Sequence, residues 1–251
     1  MQTESDPTPY GTPAASINRV HTGPVQAVTV PAGNGVNWVT DGWALFKQAP
    51  WMMIGMWIVL MVIVAAANMV PLLGQLITPA LMAGFMLALA QLEQEGELRL
   101  EVLFEGFKSH AGPLLVLGAI FLLAIFLLVL VCGVFMAIAM NAMGSGSGVG
   151  TVLGSLIFIL LGFMTILLVV FAMWWAPCLV VFNQQSPTEA LKHAILAIFR
   201  NVLSSLVYTL VLLVLYLAVV VTLGLGIFVV GPLVIVSAYT SYKDIFRPSN
   251  A

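Results

Sequence analysis

The sequence predicts an all-α integral membrane protein with six transmembrane helices arranged as three hairpins, each preceded by a cytoplasmic interfacial amphipathic helix. Three observations predict it. Of 251 residues, 61% are hydrophobic and only 7% are charged, whereas a soluble domain carries about a quarter charged residues. Such a chain cannot cover itself with a polar surface in water. The apolar residues gather into charge-free runs, and one of them, Trp51–Val70, has 20 residues, which at 1.5 Å per residue spans ~30 Å of hydrocarbon. The charges collect between alternate runs, which sets the threading.

Residues 1–35 form a separate regime. They hold five of the 13 prolines (Pro7, Pro9, Pro13, Pro24, Pro31), and their isolated valines are too few to build a core. A disordered cytoplasmic tail is expected. With Glu4 and Asp6 first and no continuous apolar region after them, the segment does not read as a signal peptide. From Val36, the residues Trp38, Trp43 and Phe46 recur at helical spacing around Asp41 and Lys47. This reads as a first interfacial helix, since tryptophan favours the membrane–water boundary. Pro50 suits the first turn of a new helix, where its missing N–H costs nothing.

The six crossings fall at about 51–70, 76–91, 114–140, 151–182, 203–223 and 227–242. Pro71 and Gly74 turn the chain between the first two. The most charged stretch, Glu93 to His110, places Leu98, Val102, Phe104 and Phe107 mostly on one side and reads as a second interfacial helix. Between the third and fourth crossings, Asn141 to Gly150 is an uncharged Gly-Ser loop. It has neither the lysine nor the spacing of a phosphate-binding loop. Ser186-Pro187-Thr188-Glu189 is a helix start, with a capping serine, proline at the first position and Glu189 three residues on. The helix it opens sets Leu191, Ile195, Ile198 and Phe199 against Lys192, His193 and Arg200, and is the third interfacial helix. The last pair of crossings turns at Gly224-Leu225-Gly226, and 247–251 form a short cytoplasmic tail.

These units look repeated. Phe46-Lys47, Phe107-Lys108 and Phe199-Arg200 each close an interfacial helix, and Pro79, Pro177 and Pro232 each sit in the returning crossing as expected helix breaks. Phe46 to Pro79 is 33 positions (79 − 46), as is Phe199 to Pro232 (232 − 199), while the middle unit takes 70 (177 − 107). All three units share one orientation. Lys47, Arg99, Lys108, Lys192, Arg200, Lys243 and Arg247 fall on one side of the six-crossing arrangement, and Arg19 joins them. The opposite loops carry no charge. Positive residues stay cytoplasmic, which places both termini and all three feet there. The expected interfacial anchors are Trp38, Trp43, Phe46, Lys47, Phe107, Lys108, Trp174, Trp175, Phe199 and Arg200. Trp51, Trp174, Trp175, Tyr239 and Tyr242 would make an aromatic belt on the same face.

No Asp, Glu, Lys, Arg or His lies within any predicted crossing, which weighs against ion pathways and proton relays. No Ser-His-Asp, HExxH or CxxC pattern is present. Cys132 and Cys178 sit alone in apolar runs, and His21, His110 and His193 are scattered, so no catalytic residue, metal site or cofactor is expected. There is no basic face for nucleic acid. The methionines, several of them clustered (Met52, Met53, Met56, Met61), point to adaptable apolar packing. Small-residue spacings such as Gly150-x-x-x-Gly154 allow helices to approach closely.

The entry Gly42-Trp43-Ala44-Leu45-Phe46-Lys47-Gln48-Ala49-Pro50 into the first crossing resembles an uncharacterised family of six-pass bacterial inner-membrane proteins. More distantly, residues 36–246 are similar to the membrane domain of bacterial glycerophosphodiester phosphodiesterases, also built of foot-plus-hairpin units. The phosphodiesterase barrel and its metal carboxylates are absent, so the resemblance implies location and architecture, and no activity. The functional expectation is a non-enzymatic inner-membrane protein whose partners are membrane lipids or another membrane protein. The alternative is a transporter or channel for an apolar or zwitterionic small molecule, with the broken helices lining a polar cavity. A third reading, an enzyme acting on lipid head groups, needs the Glu93–Glu105 region and His193 to converge.

Overall fold

The structure, a computed structural model, describes residues 27–144 and 149–246. Among the described residues it is helical throughout, with no strand. In chain order the elements are α1 (Asn34–Phe46), α2 (Pro50–Ala67), α3 (Leu73–Glu95), a 3-10 turn (Leu100–Phe104), α4 (Glu105–Ser109), α5 (Ala111–Gly144), α6 (Val149–Asn183), α7 (Pro187–Arg200), α8 (Val202–Val221) and α9 (Ile227–Phe246). Four of these, α2, α3, α5 and α8, are long and apolar enough to cross a membrane. The apolar stretches Gly150–Thr165 and Phe171–Asn183 lie within α6. The residues 1–26, the centre of the Gly-Ser loop and the tail from 247 on, with Arg19, His21 and Arg247, lie outside the described residues.

Local chemistry sets the helix ends. Pro50 and Pro187 occupy first positions, where no N–H is needed. The Ser186 hydroxyl accepts the Glu189 N–H at 3.4 Å and donates to the Glu189 carboxylate at 2.8 Å, which realises the expected capping arrangement. Gly96 ends α3 in the left-handed region at φ 74°, a conformation that only glycine adopts without steric cost. This cap corrects the expectation of one interfacial helix over Glu93–His110. Glu93 and Glu95 belong to α3, and the foot is the 3-10 turn followed by α4.

The helices sort into an inner and an outer set. α3, α6 and α9 all touch one another, and two-thirds of the apolar stretch of α3 is buried (67%), against 22% in α2, 17% in α5 and 22% in α8. Close approaches depend on small residues. A side chain at Gly231 of α9 would strike the Trp57 indole of α2, and one at Gly118 of α5 would strike the Leu76 carbonyl of α3.

The feet are not isolated from the other helices. Each packs into the bundle. α1 seats against α8 and α9, the 3-10 turn and α4 against α3, and α7 against α6 and α5. In α1 the stripe Gly35, Trp38, Val39, Gly42, Leu45 and Phe46 is buried. Gly35 abuts the Ser204 carbonyl and Gly42 the backbone of Ser237. The second foot uses Gly106 against the Ala80 carbonyl, and Gly84 of α3 receives the Leu103 carbonyl. In α7 the packing face is Ala190, Ala194 and Ala197, all fully buried, whereas Leu191, Ile195 and Ile198 are only half-buried. Alanine wins that face because two helix backbones come closest where side chains are smallest.

The chain ahead of α1 is also held, contrary to the expectation of disorder up to residue 35. Asn201, between α7 and α8, is buried. Its carbonyl oxygen accepts the Val30 N–H at 2.8 Å and its amide donates to the Val28 carbonyl at 2.9 Å. The Ser204 hydroxyl donates to the carbonyls of Val30 and Pro31 at 3.1 and 3.0 Å, and Arg200 donates to that of Ala27 at 2.9 Å. Backbone groups that would be orphaned inside a loop are satisfied by side chains, which is what fixes an irregular segment.

Candidate functional site

All three prolines expected to break helices are buried inside helices that continue through them. A proline still removes one N–H from the ladder. Pro79 leaves the carbonyl of Gln75 without its usual donor, and Pro177 does the same to Met173. Both of those residues line one cavity, of about 230 Å³, where α3, α5, α6 and α9 meet. Pro79 and Pro177 themselves form part of its wall, with Thr78, Met82, Met86, Phe121, Trp174 and Ile235. Two polar side chains stand among these ten residues, and one is already engaged, since the Thr78 hydroxyl donates to the Gly74 carbonyl at 2.6 Å. The cavity is therefore apolar, whereas the transporter alternative called for a polar one beside these prolines.

Its lining was only partly legible. The prolines and Trp174 were expected site residues. Met82, Met86, Met173 and Phe121 were not, and a methionine in an apolar run gives no signal of facing a void rather than a neighbour. Methionine suits such a wall because its thioether is polarisable and its three torsions adapt to a guest.

A second, polar cleft of about 330 Å³ opens between α1, the end of α3 and the end of α9, lined by Asn34, Asn37, Trp38, Asp41, Leu45, Glu93, Thr240, Lys243 and Asp244. Three of its four charged side chains, Glu93, Lys243 and Asp244, are engaged. Glu93 accepts from Lys243 Nζ at 2.6 Å and from the Tyr239 hydroxyl at 2.9 Å. One oxygen of Asp244 accepts from Asn34 at 2.8 Å and from the Trp38 indole at 2.7 Å. These bonds tie α1, α3 and α9 together at one end of the bundle.

The expected anchors divide. Trp38, Phe46 and Trp175 are buried, at 1%, 4% and 6% exposure, and pack within the protein. The reason is pairing: Trp38 meets Asp244 and the Tyr208 ring, and Trp175 donates to Ser241 at 2.9 Å. Tyr239 and Tyr242 are buried too, with Tyr242 stacked between Phe182 and Phe246. Of the expected belt only Trp51, 84% exposed, lies open, and Trp174 is half-buried at the cavity. Trp43, Phe199, Lys47, Lys108 and Arg200 are exposed, and Phe107 is half-buried against the core. Of the clustered methionines, Met53 and Met56 are buried and Met52 and Met61 are exposed.

The histidines make local contacts. His193 pairs with Gln185 at 3.0 Å and His110 with Ser109 at 2.9 Å. Burial holds the His110 imidazole below its usual pKa, against the opposing pull of Glu105. Among the described residues, no three His, Cys, Asp or Glu side chains converge on a common metal position. Glu93 is committed to Lys243 and Tyr239, so the convergence that the head-group enzyme reading needs is not formed at that residue. Comparison with protein-family models, with curated proteins and with solved structures gives no match to this chain.

Proposed function

We propose that this chain is a non-enzymatic, six-pass protein of the bacterial inner membrane that binds and organises lipids, holding an apolar chain in the cavity between Pro79 and Pro177. One observation carries the reading: a void of about 230 Å³ whose wall is almost entirely hydrocarbon, aromatic ring and thioether. A dry apolar cavity of about 150 Å³ accepts a benzene-sized guest, so this one has room for a larger guest of the same kind. The six crossings are α2, α3, α5, α6, α8 and α9, and both termini are cytoplasmic by the distribution of positive charge. The threading is supported by the contacts at one end of the bundle, where Lys243, Glu93, Asp244 and Asp41 gather.

The architecture in this reading is a threefold repeat of foot and hairpin. Gly84, five residues after Pro79 (84 − 79), receives Leu103, four residues before Phe107 (107 − 103). Ser237, five residues after Pro232 (237 − 232), receives Gly42, four before Phe46 (46 − 42). The same two positions of the repeat thus meet in two separate foot-to-helix contacts, each joining a foot to the hairpin of a different unit.

The test is the lipid that accompanies the protein out of its membrane. The purified chain in nanodiscs should retain a subset of lipids enriched several-fold over the bulk. A Met82→Phe, Met173→Phe variant that narrows the cavity should lose that enrichment while keeping its melting temperature. Retained lipid matching the bulk in both proteins would remove the support for the reading. Saturable uptake of an apolar or zwitterionic solute into proteoliposomes, abolished by the same variant, would replace it with the transporter alternative.

A further inference from the structure

The α5/α6 pair is too long for its own bundle. α6 has 35 residues, ~52 Å at 1.5 Å per residue, against a hydrocarbon layer of ~30 Å. The excess lies at one end. Met173 of α6 and Ile235 of α9 line the same cavity. From there α6 runs 24 residues to its start (173 − 149) and α9 only eight (235 − 227), ~36 Å against ~12 Å. α5 gives the same answer. Gly118 abuts the Leu76 carbonyl, three residues from the start of α3 (76 − 73), and 26 residues of α5 still follow (144 − 118).

Nothing in this overhang is charged, since no Asp, Glu, Lys, Arg or His occurs from Ala111 to Asn183. Its two helices cover each other on one side only, where Phe135 stacks on Phe158 at 4.2 Å and Gly162 faces Cys132. Eight large apolar side chains on α5 (Leu127 to Met140) and eight on α6 (Leu153 to Met164) remain 44% to 67% exposed. At about 100 Å² each that is on the order of 1,600 Å² of apolar surface around the pair, of which one side, about half, matches the ~800 Å² that each partner contributes to a standard interface. Gly133, Gly150 and Gly154 of the overhang have no atom near the place a Cβ would take, as is also true of Gly55 in α2 and Gly112 at the start of α5.

We propose that the outer half of the α5/α6 pair is the contact surface for a second copy of this chain. An overlong apolar element is relieved by tilting, by thickening the bilayer or by association. Two copies inserted in one orientation bring overhangs of the same height side by side, which no unrelated partner does by default. A surface without charge selects by height and smoothness, and the open Gly150-x-x-x-Gly154 spacing permits close helix approach.

The test uses the full chain in bilayers of ordinary thickness. In a Cys132→Ser background, with Cys178 buried, Ile157→Cys on the overhang is compared with Leu213→Cys on α8, which is similarly exposed. Oxidation should link Ile157→Cys into dimers at least ten-fold more efficiently than Leu213→Cys, and the unmodified chain should count as two copies per nanodisc by mass measurement. A single copy per disc, equal linkage at both positions, or a different protein bound to the overhang would each overturn the proposal.

Discussion

Substituting Gly84 by alanine tests whether the second foot is truly held inside the bundle. A helix gains ~0.5–1 kcal/mol when an interior glycine becomes alanine. At Gly84 that gain meets a backbone obstacle, because the new methyl would fall on the Leu103 carbonyl oxygen. The obstacle is not a flexible side-chain end, so the foot must shift off α3 as a body. Overpacking of this kind costs ~1–3 kcal/mol and occasionally more, and here the upper end applies, leaving a net loss of about 2 kcal/mol. At ~2–4 °C per kcal/mol for a chain of this size, Gly84→Ala should melt about 4–8 °C below the wild type. Gly55 in α2 is the control, since no atom lies near its Cβ position, and Gly55→Ala should melt at or slightly above the wild type. In a Cys132→Ser background a thiol-reactive dye in detergent reads both, because Cys178 is fully buried until the core opens. If Gly84→Ala melts like Gly55→Ala, the foot does not pack tightly on α3 and the reasoning fails.

Three further outcomes follow from named contacts. Asn201→Leu leaves the Val30 N–H and the Val28 carbonyl without their partners, at ~1–3 kcal/mol for each buried unsatisfied group; limited proteolysis should then cleave within residues 27–33, which the wild type protects. Glu93→Gln weakens a half-exposed ion pair with Lys243, worth at most ~1 kcal/mol, so the melting temperature should fall by only a few degrees and the difference should shrink in high salt. His110 is held below its usual pKa by burial, so the unfolded chain takes up the proton first. That contribution is present at neutral pH and is lost as the pH falls through 6.5. The melting temperature of wild type relative to His110→Gln should therefore drop between about pH 7 and pH 5.5.

The helices were legible and their partners were not. Charge-free runs, helix-starting prolines and turn glycines marked α2, α3, α5, α6, α8 and α9 to within a few residues, because bilayer thickness and backbone hydrogen bonding constrain each run by itself. Asn201 escaped notice because its role depends on Val28 and Val30, 173 and 171 positions away. Its one local sign was an uncharged amide directly after Arg200, at the boundary of two apolar helices. The burial of Tyr239 and Tyr242 is not legible for a related reason. A tyrosine near a helix end suits a membrane interface as well as a core with a hydroxyl acceptor in reach, and only the fold supplies Glu93 and Asn183 as those acceptors.

The packing of the feet into the bundle has a physical cause that the sequence does contain. A bilayer surface and a cleft between helices select the same pattern, an apolar stripe opposite a polar one, so amphipathicity alone cannot separate them. The composition of the stripe can. Lipid contact rewards large apolar groups and gains nothing from glycine, whereas close approach of two backbones requires small ones. α1 carries Gly35 and Gly42 on its buried face and α7 carries Ala190, Ala194 and Ala197, which marks both as helices that pack on protein. For α1 the partner is the far end of the chain, with Gly42 meeting Ser237 across 195 positions (237 − 42). The Trp38–Phe46 face is therefore completed by α8 and α9, which a reading of the first fifty residues by themselves does not supply.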